Sequence, residues 1–477
     1  MNTTDLINLD ATSTQQAIKD RKLTCKQVVS AYIDQIKKVN PYINALVEER
    51  FHVALKEAAE KDNHVEKNIR NKPLFGVPIS IKESFHVKGM KTTGGLIQRK
   101  DIISKVDADV VKKLKEAGAI ILGKTNTPAL CFAQETENKL FGRTNNAWDI
   151  TKTAGGSSGG EGSLLGIGGA AVGIGSDIGG SIRFPSHFNG VIGFKPGKYT
   201  TSMNGHYPSS LEQLQTRMLG LGPLGKSVQD MELIYQIISK VPYENKDLTD
   251  MTIDVYPSRS SFPLSTETKN ILDSIYHLLS NTFQVDRKIP PQFESSAILW
   301  QKIMSINGAK EIRNHALNNH GNNLFSTYIK EQLTNQTIFH RYLLWALIGA
   351  RFFQPTKKQI HELRSTIVHG DERISSYLNH RLLIFPVFHT GAKKHGSTYK
   401  EIFSINKTFI KYMPYIAYAN VWGLPSLTIP VATDESGMPI SIQIMSSNGN
   451  EDPIFQLGKF IEREFRGYVR SMRFDHT

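Results

Sequence analysis

Gly155-Gly156-Ser157-Ser158-Gly159-Gly160-Glu161-Gly162-Ser163-Leu164-Leu165-Gly166-Ile167-Gly168-Gly169-Ala170-Ala171-Val172-Gly173-Ile174-Gly175-Ser176-Asp177-Ile178-Gly179-Gly180 holds 12 glycines in 26 residues, and most other positions are Ser, Ala, Ile or Leu. Gly/Ser stretches usually serve as flexible linkers. A linker does not carry apolar residues through and around it, so this segment reads as buried and closely packed. Glu161 to Ala171 is expected as a helix with a small-residue face, and Val172 to Ile174 as a strand before a turn. Ser181, Ile182 and Arg183 continue directly from that turn.

Upstream, the apolar run Val77-Pro78-Ile79-Ser80-Ile81 reads as a strand closed by Lys82 and Glu83. A helix from Val110 to Ala117, then Gly118, leads into a second strand at Ala119-Ile120-Ile121-Leu122. Helical spacing also marks Ser13 to about Lys38, with Thr24 as an internal cap and Asn40-Pro41 as the stop, and Phe51 to Asp62. Downstream, strands are expected at Leu427 to Val431 and Pro439 to Ile444, and a helix at Pro453 to Phe465. Helices alternating with short buried β-branched runs predict an α/β fold with a central mixed sheet flanked by helices. Between Asn245 and Lys411 the chain is richer in Asn, Ser, His and Lys, and few strands stand out.

The whole chain has 477 residues, 39% hydrophobic and 21% charged, ample for a sizeable core. Its two cysteines, Cys25 and Cys131, exclude a disulfide framework and a Cys-based zinc or iron–sulfur site of the usual ligand count, and fit a reducing cytoplasmic setting. Met1 to Leu6 has neither the basic nor the apolar region of a secretory signal. No run reaches the roughly 20 apolar residues of a spanning helix. The net charge of +13 is scattered, with no basic block interleaved with aromatics, so no nucleic-acid partner is expected.

Two short motifs are decoys. Gly118 to Thr125 fits G-x-x-x-x-G-K-[ST], but the residues between its glycines are the apolar strand itself, which leaves no open loop to cradle a phosphate. Gly155 to Gly159 fits G-x-S-x-G, yet that elbow must follow a buried strand and Asp149 to Ala154 is polar.

Three separated pieces carry more weight: Lys82 at the end of an apolar strand, Gly-Gly-Ser-Ser-Gly-Gly at 155 to 160, and Ser176-Asp177-Ile178-Gly179-Gly180-Ser181-Ile182-Arg183. On these residues the chain resembles the amidase signature family. The resemblance extends from Gly76-Val77-Pro78 through Gly123-Lys124-Thr125-Asn126-Thr127-Pro128 to Gly423-Leu424-Pro425-Ser426 and Gly437-Met438-Pro439. It implies one domain over 1–477, with a catalytic core at about 70–240 and 415–470 and a variable substrate-binding region at about 245–411.

Amide hydrolysis needs a nucleophile, a base, donors for the oxyanion and an acid for the departing amine. The resemblance assigns Ser181 as nucleophile, Ser157 as a proton-relaying serine on a cis peptide, and Lys82 as base. It implies an oxyanion hole from the N–H groups of Ile178, Gly179, Gly180 and Ser181. Asp177 and Arg183 are expected to brace the turn, and Ser158 to bond Asp177 or the backbone. No metal or cofactor is implied. A lysine ordinarily titrates at about 10.4, so burial must lower Lys82 for it to act as a base.

Gly159-Gly160-Glu161-Gly162 and the sequence Ser176 to Ser186 resemble the fatty-acid amide hydrolase branch. The tRNA-dependent amidotransferase subunit usually carries small residues after the Gly-Gly pair and Thr at the place of Ile178. The implied activity is hydrolysis of carboxylic, chiefly fatty-acid, amides through an acyl-enzyme. The alternatives are an amidase for small or aromatic amides and a subunit working with a tRNA-binding partner. The segment Ile338 to Phe353, flanked by Lys330, Arg341, Arg351, Lys357 and Lys358, reads first as a buried core helix, with the alternatives of an acyl-channel wall and a bilayer-surface contact. Peripheral membrane contact and a homodimer stay open at this level.

Overall fold

In the computed structural model, which describes residues 3–65, 69–209, 212–317, 323–402 and 408–475, the apolar runs of the sequence become strands of one mixed sheet. These are β1 (Leu46–Glu49), β2 (Pro78–Lys82), β3 (Ile120–Thr125), β6 (Val172–Asp177), β7 (Ile192–Lys195), β8 (Gly220–Gly225), β9 (Thr252–Val255), β10 (Val285–Arg287), β11 (Arg381–Pro386), β12 (Ser426–Thr433) and β13 (Pro439–Met445), while β4 (Glu137–Asn138) and β5 (Gly142–Arg143) form a separate small hairpin. The eleven strands run in the order β1-β3-β2-β6-β8-β7-β12-β13-β11-β9-β10. β3, β2 and β6 are parallel neighbours, as are β11, β9 and β10, and the other pairs are antiparallel. Helices cover the sheet, as the alternating pattern predicts.

This order sets the site. β2 and β6 pair in parallel with Ile81 opposite Ile174, so Lys82 and Ser176 leave the sheet at the same carboxyl-terminal edge. That edge is where ligands bind in open α/β sheets.

The helix after the serine pair spans Gly159–Gly166, shorter than the expected 161–171. It stops because Gly168 takes φ +76°, a left-handed conformation. It lies so near its neighbours that a Cβ on Gly160 would run into the backbone of Asn126.

Two other boundaries differ from the sequence reading. The helix capped by Thr24 runs Cys25–Ile43, through Pro41, and ends at left-handed Asn44, whose N–H returns to the Asn40 carbonyl. Pro41 has no N–H to give the Lys37 carbonyl, so the helix loses one bond there and ends within the turn that follows. The region 245–411 contributes β9, β10 and β11 to the sheet. These strands are short and carry charge: Asp254 of β9 is fully buried and accepts from Arg381 at 2.6 Å. Such buried pairs erase the apolar alternation that marks a strand.

The first decoy motif is a strand. Residues 120–125 are β3, with Lys124 buried and bonded to Thr92 Oγ1 at 3.1 Å.

The core is divided between two large apolar clusters and a smaller third one, which gathers Leu96, Leu130, Leu317, Leu343, Leu344 and Leu347. The third cluster seats the helix Arg341–Phe352.

Candidate active site

Lys82 is the last residue of β2 and is fully buried. Its Nζ donates to Ser157 Oγ at 2.7 Å and to Ser176 Oγ at 2.9 Å. Burial lowers its pKa below the ordinary lysine value, against the opposing pull of Cys131, Asp177 and Glu161. Burial penalises the ammonium form, which is the physical route to a neutral lysine.

Ser157 sits where the chain enters the Gly159–Gly166 helix, and the Gly156–Ser157 peptide is cis. The Ser158 N–H donates to the Ser181 carbonyl at 3.1 Å, which ties the two serine segments together. The Ser158 hydroxyl lies 3.4 Å from both the N–H and the carbonyl of Ser176, so its partner is backbone rather than Asp177. Among the described residues no hydrogen bond joins Ser157 Oγ to Ser181 Oγ. The two side chains instead line one small chamber of about 60 Å³.

The turn 178–182 hangs on Asp177. Its carboxylate accepts from the N–H groups of Gly180 at 2.8 Å and Ile182 at 3.1 Å, and Asn420 Nδ2 donates to it at 2.9 Å. Arg183 meets the same carboxylate through Nε and Nη2, both at 3.0 Å. Its Nη1 reaches the Ile416 carbonyl and Gln443 Oε1, each at 3.0 Å, and Nη2 also donates to Asn420 Oδ1. Burial by itself would raise the Asp177 carboxyl, but the adjacent guanidinium holds it well below the usual carboxylate range.

One expected group is redirected. The Gly180 N–H is already given to Asp177, because φ of +94° turns that peptide toward the carboxylate. Among the described residues the N–H groups of Ile178, Gly179 and Ser181 have no acceptor, and all three residues line the main cavity.

That cavity is about 290 Å³. Ser181, Ile178 and Gly179 lie on its wall, and the rest is strongly apolar, with Phe132, Trp300, Met304, Trp345, Phe353 and Phe409. In the helix Arg341–Phe352, Leu343, Leu344 and Leu347 enter the core, as the first reading expects, whereas Trp345, Ala346 and Gly349 face the cavity.

Several residues at the site were not found from the sequence. Trp300 packs on Gly179 and donates Nε1–H to the Ile178 carbonyl at 2.8 Å, so a residue of the variable region braces the turn. Glu161 is fully buried, accepting from Ser80 and Thr125, and burial pushes its carboxyl up to about 7. His206 and Cys131 line the small chamber. Glu161 was visible as a carboxylate inside an apolar glycine helix, whereas nothing local marks Trp300 or His206. Among the described residues no group of three or more His, Cys, Asp or Glu is placed to hold a metal ion.

The amidase family model matches residues 27–455. The chain belongs to the amidase signature family. Fatty-acid amide hydrolase 2 of Homo sapiens is 31% identical over 503 residues, covering 98% of this chain and 91% of that protein. A glutamyl-tRNA(Gln) amidotransferase subunit of Clostridium acetobutylicum is 28% identical over 494 residues, covering 96% and 100%. The solved structure of 6-aminohexanoate cyclic dimer hydrolase superposes with a TM-score of 0.80 at 21% identity, over 98% of this chain and 99% of that one. This amidase is thus an amide-hydrolysing enzyme on the family's α/β fold. Among its described residues no helix is long and apolar enough to cross a membrane.

Proposed function

We propose that this amidase cleaves fatty-acid amides to acid and amine with Ser181 as nucleophile, Ser157 as relay and Lys82 as base, without a partner chain. The observation that carries the reading is the apolar cavity of about 290 Å³ with Ser181 on its wall, near the lower end of the range for small-molecule sites. Cys25 and Cys131 are both free thiols, which supports a reducing, cytosolic setting.

In this reading the acyl group lies along Trp300, Trp345 and Phe409, and the carbonyl carbon meets Ser181 Oγ. As the C–O bond forms, Ser157 takes the Ser181 proton and gives its own to neutral Lys82. The carbonyl oxygen becomes an oxyanion held by the N–H groups of Ile178, Gly179 and Ser181. Removing one such donor typically costs about 10²–10³ in rate. When the C–N bond breaks, the proton returns from Lys82 through Ser157 to the amine nitrogen. Water then attacks the acyl ester, the same relay accepts its proton, and Ser181 leaves reprotonated. The Ser157–Ser181 hydrogen bond must close as substrate binds, as catalytic contacts commonly tighten in the Michaelis complex.

Hydrolysis of primary and N-substituted amides from two to twenty acyl carbons, followed by mass spectrometry with Ser181→Ala as control, tests this. A Ser181-dependent rate that rises with chain length is expected. Turnover confined to short amides would replace it with a general amidase. Activity that appears only with glutamine and a tRNA-binding partner would replace it with an amidotransferase component.

A further inference from the structure

Behind Lys82 lies a polar chain that the mechanism above does not use. Ser176 Oγ, already 2.9 Å from Lys82 Nζ, is 3.0 Å from His206 Nε2. Ser84 Oγ is 3.3 Å from the same nitrogen. The imidazole is buried, edge-on to Phe85 at 5.0 Å between centroids. Ser176, His206, Ser157 and Ser181 all line the small chamber.

A serine hydroxyl has one proton to donate, and a neutral lysine amine has one lone pair to offer. If Ser176 donated its proton to Lys82, it would occupy the lone pair that must point at Ser157. An acceptor at His206 Nε2 draws the Ser176 proton away, so that Ser176 faces Lys82 with its lone pairs alone. Nε2 accepts only in the neutral ring that carries its proton on Nδ1. Burial, with the nearby Lys82 charge, lowers the imidazole pKa to about 3, and the backbone group acting on the ring belongs to Pro208, which has only a carbonyl to offer. Nδ1 is buried and has no hydrogen-bond partner among the described residues; the groups that do bond the ring are two hydroxyls, Ser176 and Ser84, converging on Nε2.

We propose that His206 is a positioning residue that, by accepting the Ser176 hydroxyl, orients Ser176 as an acceptor and keeps the Lys82 lone pair on Ser157. The inference rests on Lys82 being the base. A measurable consequence separates it from simple packing. Once His206 is made apolar, Ser176 is free to donate to neutral Lys82, which stabilises that form. The acid limb of the kcat profile then moves to lower pH while the plateau falls. Water entering a loosened site would move the limb upward, toward the ordinary lysine value.

The experiment compares kcat, KM and the pH profile for His206→Leu, His206→Gln, Ser176→Ala and Ser176→Ala/His206→Leu, with cooperative melting as the check on folding. His206→Leu is expected to lose about tenfold in kcat at unchanged KM, with the limb displaced downward, and His206→Gln, whose Oε1 can accept, to recover most of it. Adding His206→Leu to Ser176→Ala is expected to cost less than twofold, since the competing donor is already gone. His206→Met takes the place of His206→Leu if the latter fails to melt cooperatively. An unchanged kcat in the apolar variant, an upward limb, or an equal loss in the Ser176→Ala background would overturn the inference. Wild-type turnover by Lys82→Ala would instead overturn the base assignment beneath it.

Discussion

The arc from Gly155 to Arg183 and the region from Asn245 to Lys411 meet at the same cavity but are built on different principles. The arc positions its chemistry with backbone: a cis peptide at Ser157, a turn whose N–H groups converge on Asp177, and a helix packed against neighbouring main chain. The later region surrounds the cavity with side chains, among them Trp300, Trp345 and Phe409. Backbone constraints admit few residue types, whereas an apolar wall accepts many of similar size. On the proposed function the arc governs whether an amide is cleaved, and the later region governs which amide.

The largest expected effect removes the base that the arc's serines face. Lys82→Ala should lower kcat/KM for amides by about 10²–10⁴, whatever the acyl length. Matched esters should lose less, because an alkoxide leaves with less help from a proton donor than an amine does. Steady-state kinetics on amide and ester pairs decide it, and equal losses would remove the acid half of the lysine's role. Next comes Arg183→Ala, which strands the buried Asp177 carboxylate among its remaining donors. Removing one partner of a buried ion pair typically costs about 3–5 kcal/mol. Urea denaturation should show a loss of that order, and a loss below about 1 kcal/mol would mean that the turn is held by Asn420 and the backbone alone.

A smaller and more selective effect is expected across the cavity. Trp345→Ser should lower kcat/KM for long-chain amides by about tenfold while sparing the shortest ones. Uniform loss at all lengths would show that the helix Arg341–Phe352 acts through folding, not through the wall of the cavity. Leu344→Ser is a poor probe of that wall, since Leu344 is fully buried in the third core cluster.

The contrast also explains what was legible in the sequence. The strands β2, β3 and β6 follow local patterns, because the apolar and glycine runs there answer to backbone geometry, whereas the Lys82–Ser157–Ser181 grouping and the Asp177–Arg183 brace were legible only through the family resemblance that those motifs carry. Trp300 reaches Gly179 from 121 positions away in the chain, and His206 reaches Ser176 from 30 positions on, beyond a helix and a strand. Contacts of that kind leave no periodicity to read. The strand β9 escaped for a related reason: the buried Asp254 is satisfied by Arg381 and Tyr377, both distant in sequence.

Glu135 lies outside both regions but links them, its backbone packed on Gly156 and its side chain bonded into the later region, and it offers the gentlest test of their independence. It follows Gln134 on the cavity wall, and its carboxylate accepts the N–H groups of Gly396 at 2.7 Å and Tyr399 at 2.9 Å. Burial raises it from 4.5 to about 7. A carboxyl whose folded pKa lies above its unfolded value stabilises the fold fully below the unfolded value, and that contribution is lost as pH rises through the folded one. The melting temperature should therefore fall between pH 5 and pH 7, above which Lys195 and Lys226, lowered by burial to about 7, act in the opposite direction. Glu161, Asp230 and Glu462, also near 7, act in the same direction as Glu135. Glu135→Gln keeps an acceptor for one of the two N–H groups and removes the titration, so it should flatten the slope only in part, by on the order of 2 °C. If chain-length preference also changed with pH in the wild type but not in Glu135→Gln, the fastening would transmit charge to the cavity wall, and selectivity would not belong to the later region alone.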